Sequence, residues 1–292
     1  MAAFLLAACS RGGDAATELL SADTAGEPIS LSASVGDDVT RASWYDNRQD
    51  TRFVTGTSLM VEAFQAGAAA PYAKGSYVVQ TTAGALAGSL TYPLLGGAVD
   101  LCAYHPATVT SASTSFAVGN SQSDAAGYRA SDLMYATKLT NRSKGQTHAL
   151  KFSHALTCIV VEVYPGDGIT WDDISDYVGS VTVLNTVPTA SLTISGGKIT
   201  ATASGTATHD IDITGSGDYH AGIIVPQTVA ASTDFITLWY AGTPYTYTLP
   251  SRQEFKAGGR YYYSFTMNAA GLQLRSLRIT DWTDGGTTDG TL

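Results

Sequence analysis

The sequence predicts an all-β protein made of two β-sandwich domains in tandem. Three observations carry that expectation. Apolar residues recur at period two in many short runs, Gly and Pro punctuate those runs, and no stretch of real length carries a helical stripe. At 292 residues the chain is long enough for two ordinary cores. With 14% charged residues and 16 tyrosines, it is too apolar for disorder and rich in strand formers.

The chain is organised around residues 145–166. Leu150, Phe152, His154, Leu156, Cys158 and Val160 share one face of an extended strand, and Lys151, Ser153 and Thr157 the other. Ile159, Val161 and Val163 then make the second face apolar too, which predicts burial between layers. Gly145 opens the stretch and Pro165-Gly166 closes it. It reads as the first strand of a second domain, so the domains are expected at 29–145 and 146–292.

Taken in order, residues 10–28 are small and polar and read as a tether. Residues 29–35 form the first strand, with Ile29, Leu31, Ala33 and Val35 on its apolar face. Gly36-Asp37-Asp38 ends it. The polar segment 37–52, holding Arg41, Arg48 and Arg52, reads as an exposed loop open to proteases. Strands are expected at 58–64, 76–81, 88–92 and 98–104. Residues 107–131 read as a long surface connection, and 170–178 as one or two helical turns. Further strands are expected at 180–184, 190–194, 198–203, 207–213, 220–225, 234–241, 244–249, 260–267 and 272–280, with Thr243-Pro244 as a hairpin turn.

The net charge of −9 and the scatter of the 16 basic residues disfavour a nucleic-acid partner. No P-loop, dinucleotide fingerprint, G-x-S-x-G elbow or H-E-x-x-H is present. The chain is therefore read as a non-enzyme without a cofactor. His154 is in register with core residues and reads as a core histidine. Cys102 and Cys158 lie within strands and read as buried thiols rather than a disulfide. Asp210, Asp212 and Thr214 before Gly215 resemble the start of a calcium loop, but Ala221 stands where the bidentate Glu is required. Buried Ile211 and Ile213 with exposed aspartates on an ordinary strand is the favoured reading. Trp171, Trp239 and Tyr240 fit either a sugar-stacking platform or the core, and the core is favoured in an all-β chain.

The opening Leu6-Ala7-Ala8-Cys9 resembles a bacterial lipoprotein signal, with residues 1–9 as a truncated signal and Cys9 as the lipidated residue. The basic n-region of such a signal is missing. No later run approaches the ~18 apolar residues that a helical membrane span needs.

Several segments together resemble the fimbrillin-like, or Mfa-like, family of Bacteroidia, the subunits and accessory proteins of type V pili. They are residues 29–35 followed by Val39-Thr40-Arg41-Ala42, then 132–136, then the central 150–156. Residues 223–229, 245–250, 255–263 and Ile279-Thr280-Asp281-Trp282 follow in order. The resemblance implies two transthyretin-like β-sandwich domains, export as a lipoprotein through Cys9, and display on the outer membrane. It implies cleavage at Arg41, or less favourably at Arg48 or Arg52, and release of the strand carrying Ile29, Leu31, Ala33 and Val35. A strand from another pilus subunit then fills the groove by β-augmentation. The chain departs from a polymer-forming subunit at its end, where residues 283–292 are polar. The usable donor is Leu272, Leu274, Leu277 and Ile279, whose alternation breaks in the middle. A minor, tip or anchor subunit with a glycan or protein ligand is expected. The competing expectation is a monomeric glycan-binding surface lipoprotein.

Overall fold

The structure, a computed structural model, describes residues 26–36 and 52–282. Cys9, Arg41, Arg48, the signal and most of the tether lie outside the described residues. The fold is two β domains.

The first domain comprises β1 (Ser30–Val35), β2 (Ser58–Gln65), β3 (Ala73–Val79), β4 (Ala85–Ala87), β5 (Val99–His105), β8 (Met134–Arg142) and β9 (Thr147–His154). They close in the order β1-β4-β3-β2-β5-β8-β9. A sandwich was expected; the sheet is a closed barrel. The reason lies in β1, which pairs antiparallel with β4 on one edge and parallel with β9 on the other, so neither edge remains free. The alternate set read from the sequence faces inward: Ile29, Leu31, Ala33 and Val35 are buried with Leu59, Val61, Tyr77, Val79, Leu150 and Phe152. The strand expected at 88–92 is instead β4, three residues earlier. Leu90 and Tyr92 fill the core from outside the ladder.

The central stretch divides. Residues 147–154 form β9 and stay in the first barrel; β10 (Thr157–Pro165) belongs to the second sheet. The expected strand opening the second domain is thus two strands separated by buried Ala155 and Leu156. The burial patterns give the physical reason. β9 alternates between buried and exposed, as a barrel wall does, whereas β10 is buried on both faces between β15 (Tyr219–Ile224) and β20 (Gly259–Asn268).

The second sheet adds β11 (Val178–Thr186), β14 (His209–Ser216), β17 (Asp234–Tyr240), β18 (Thr243–Thr248) and β21 (Gly271–Asp281). Its path is β18-β17-β11-β14-β15-β10-β20-β21, with the short β7 (Ser121–Gln122) beside β14. The end strands β18 and β21 lie against each other, which curls the sheet into a barrel-like shape. Phe235, Phe255, Tyr261 and Tyr263 pack ring to ring inside it. Phe64, Cys102 and Tyr104 from the first barrel join the same core, so the two domains share an apolar junction.

Residues 107–131 are not merely a surface connection. They hold β6 (Ser115–Ala117), which pairs with β12 (Thr189–Ser195), then β7, then helix α1 (Ala125–Ser131). Asp124 caps α1 by accepting from the Gly127 N–H at 2.7 Å, and Tyr128 is buried. A helix this short leaves no periodicity to read. The second helix, α2 (Trp171–Tyr177), falls where one or two turns were expected; Thr170 and Asp173 close a capping box on it. The β17–β18 turn is Ala241-Gly242, not Thr243-Pro244. Both turn residues have positive φ, 48° and 78°, as a two-residue type I′ hairpin requires. Pro244 sits in β18, a terminal strand of the sheet path.

Candidate functional site

The candidate site is the groove that holds β1. On the β9 side the ladder is long, with six register pairs running from Ser30 opposite Thr147 to Val35 opposite Phe152. On the β4 side it has only two, Leu31 opposite Leu86 and Ser32 opposite Ala85. Single bonds extend this weaker side: Ile29 N–H to the Leu90 carbonyl and Ala33 N–H to the Gly84 carbonyl, each at 2.8 Å. The Tyr77 hydroxyl also donates to the Ile29 carbonyl at 3.1 Å within the core. Burial pushes this phenol up to about 12.

Gly84 fits β1 closely. Its φ is +83°, and a Cβ there would collide with the Ala33 carbonyl. A cleft of about 440 Å³ runs beside β1, lined by Ile29, Leu31, Tyr77, Leu86 and Gly88. Each larger buried side chain of β1 contributes on the order of 1.5–3 kcal/mol. Simple departure of β1 therefore leaves a costly apolar slot, and replacement by another strand of the same pattern does not.

Both ends of segment 37–51 are tied to one residue. Gly36 N–H donates to the Phe152 carbonyl at 2.9 Å. The chain re-enters at exposed Arg52, and the next residue, buried Phe53, packs edge-on against Phe152 at 4.9 Å and 87°. Phe53 thus anchors the chain that follows the loop independently of β1. Phe53, Tyr77, Gly84 and Phe152 were not singled out as site residues from sequence. The one available signal was Phe53, a lone aromatic after a polar run.

Leu272, Leu274, Leu277 and Ile279 lie on β21, partly buried against the second core. β21 is laddered to β20 from Gly271 to Asp281. The break in its alternation is a bulge: Ser264 pairs with Ser276 and Phe265 with Leu274, leaving Arg275 displaced. Arg275 covers the Tyr164 ring at 4.7 Å and Arg278 the Tyr262 ring at 3.7 Å.

Asp210, Asp212 and Thr214 line one face of β14. Asp212 accepts from the Thr182 hydroxyl at 2.9 Å and Asp210 from the Asn185 N–H at 3.1 Å. A strand spreads these oxygens along its length, whereas a calcium loop wraps them round one point. Among the described residues no group of three or more His, Cys, Asp or Glu is placed to hold a metal.

His154 is buried, with Nδ1 at 2.8 Å from Asp132 Oδ1. Cys102 and Cys158 are buried thiols that form no disulfide, and burial pushes Cys102 up to about 11. Trp171 and Trp239 correct the core expectation. They are 53% and 40% exposed, the first at the start of α2 and the second on the outer face of β17.

The family model described as fimbrillin-like matches residues 40–282. The chain belongs to the fimbrillin-like family. A Bacteroides uniformis protein named as a fimbrium subunit, Fim1C, is 28% identical over 172 residues, covering 53% of this chain and 52% of that protein. The chain thus matches about half the length of this relative. Among solved structures, a B. uniformis protein described as a cell adhesion protein superposes with TM-score 0.65 at 22% identity, covering 87% of this chain and 97% of the other. A Bacteroides ovatus protein described in the same words gives 0.59 at 18%, covering 88% and 98%. These structural likenesses are of fold. The fimbrillin-like family is non-enzymatic.

Proposed function

We propose that this fimbrillin-like chain is a surface-anchored pilus subunit or pilus-associated adhesin that assembles by proteolysis-triggered strand exchange. The observation that carries the reading is the asymmetric seating of β1: a long parallel ladder to β9, two pairs to β4, and a separate anchor for the chain beyond the loop at Phe53. A cut at Arg41, or at Arg48 or Arg52, would free β1 without unseating Phe53. A partner subunit's strand would then enter between β4 and β9, with apolar side chains where Ile29, Leu31, Ala33 and Val35 sit. Lipidation at Cys9 would hold the uncut protein at the outer membrane; Cys9 lies on the released side of the cut, so the cut body would be held through its pilus partners. In this reading both domains are transthyretin-like variants that have closed.

A tip or anchor role is favoured over a stalk role. β21 is laddered to β20 along its length and packs on the second core. To donate it, the chain would have to open its own second domain. The chain therefore accepts a strand more readily than it gives one. The competing reading, a monomeric glycan-binding lipoprotein, is supported by the exposure of Trp171 and Trp239.

The test is digestion of the purified chain with an arginine-specific protease, followed by N-terminal sequencing and an unboiled denaturing gel. A discrete cut after Arg41 with capture of an added donor peptide, and no self-made ladder, is the expected result. No cut between 37 and 52 would sink the maturation step.

A further inference from the structure

Trp239 stands on the outer face of the second sheet, 40% exposed, between small or flat neighbours. Pro244 faces it across β18. On the other side the register of β11 shifts between Val178 and Val181, which sets Gly179 and Ser180 together beside the indole. Gly179 has no side chain to cover it; a Cβ there would lie 3.7 Å from the Trp239 Cβ. The result is an open aromatic plate.

Two residues back along β17, on the same face, a polar row crosses four strands. Thr246 pairs with Thr237, Thr237 with Thr182, and Thr182 with Asp212. The Thr237 and Thr246 hydroxyl oxygens are 2.9 Å apart, and the Thr182 hydroxyl donates to Asp212 at 2.9 Å. These bonds orient the row and leave lone pairs on each hydroxyl and on the exposed Asp212 carboxylate. Successive rungs lie about 4.8 Å apart, a step similar to ring-to-ring spacing along a glycan. The charges on this row and the next one along β14, Asp212 and Asp210, are negative, which disfavours sialylated or sulfated chains.

The geometry points to a binding site for a neutral glycan, one pyranose ring laid on the Trp239 indole and adjacent hydroxyls bonded along Thr237, Thr182 and Asp212. The indole supplies the apolar face that the C–H side of a sugar requires. The Thr–Asp row supplies donors and acceptors whose positions the ladder fixes. The biological sense of this site rests on the surface-display reading; its measurement does not.

The experiment uses the intact, uncut chain with ¹⁵N-labelled tryptophan, whose four indoles are assigned with W171A and W239A. Cellohexaose, maltohexaose, mannohexaose and xylohexaose are titrated separately. The Trp239 indole N–H is expected to shift with at least one of them. W239A then weakens that sugar's binding about tenfold or more, T237V weakens it less, and W239F retains most of it. Shifts confined to Trp171, no shift with any of the four sugars, or wild-type binding by W239A would each overturn the site. Failure of protease cutting or strand capture leaves these titrations unchanged, so the two proposals fail separately.

Discussion

The imidazole of His154 lies parallel to the indole of Trp282, with 3.8 Å between ring centroids and 3° between planes. The two rings come from different sheets: His154 ends β9, and Trp282 directly follows β21. Asp132 Oδ1 holds the imidazole through Nδ1 at 2.8 Å, and the Trp282 backbone N–H donates to the Gly258 carbonyl at 2.6 Å. The end of the second domain is thus clasped to the wall of the first.

Trp282→Ala should therefore act on the junction between domains. Removing a buried Trp costs about 3–5 kcal/mol, whereas Trp239→Ala on the outer face should stay within about 0.5 kcal/mol. Urea unfolding of both variants checks the contrast. Equal losses would remove the clasp from the account.

Gly84→Ala should loosen β1 specifically. The added methyl meets the Ala33 carbonyl at a φ of +83°, and strain of this kind costs about 1–3 kcal/mol. Amide exchange of residues 30–35 should rise, while exchange in β10 and β20 stays as in the parent protein. Uniform loss of protection in both domains would contradict a local role.

These contrasts bear on what the residues disclosed in advance. The inward set of β1 was legible because alternation is a local property: Ile29, Leu31, Ala33 and Val35 face the core as read. The broken alternation of β21 between Leu274 and Leu277 was legible too, but not that it marks a bulge that displaces Arg275. What closes the first barrel was not. β1 meets β9 across more than a hundred residues of chain, and nothing local specifies that partner. The Trp239 plate was misread for a related reason. Which face of a strand is wet depends on what packs against its sheet, and both faces of residues 234–241 carry large side chains.

Acidification should weaken the protein in two windows. Burial holds the His105 imidazole below its ordinary 6.5, against the opposing pull of the Asp132 carboxylate. The folded His105 stays neutral while the unfolded one takes a proton, so stability is present above pH 6.5 and falls below it. Asp100 acts lower down. Burial would raise its pKa, but N–H donors from Asn141 and Gly67 and the Lys138 ammonium outweigh it, and the net shift is downward from 3.8. Its contribution is present above about pH 3.8 and lost below. Unfolding free energies measured from pH 7.5 to 3 should show both declines, with Asp100→Asn flattening the second and sparing the first.

Tyr77→Phe is the cleanest probe of how β1 is retained. The substitution keeps the ring that packs in the first core and removes only the hydroxyl that donates to the Ile29 carbonyl. That carbonyl is buried, and leaving such an acceptor unpaired costs about 1–3 kcal/mol. The loss falls at the start of β1, on the side where only two ladder pairs bind it to β4. In the strand-exchange reading, β1 unzips from β4 first and from β9 last. Protease-cut Tyr77→Phe should then capture a donor peptide faster than the cut parent, while the uncut variant captures none. A capture rate equal to the parent's would place the rate-limiting separation at the β9 ladder. Ser34→Pro, which removes a β1 backbone N–H on the edge facing β9, the edge from which Gly36 N–H reaches the Phe152 carbonyl, would then be the variant that accelerates it.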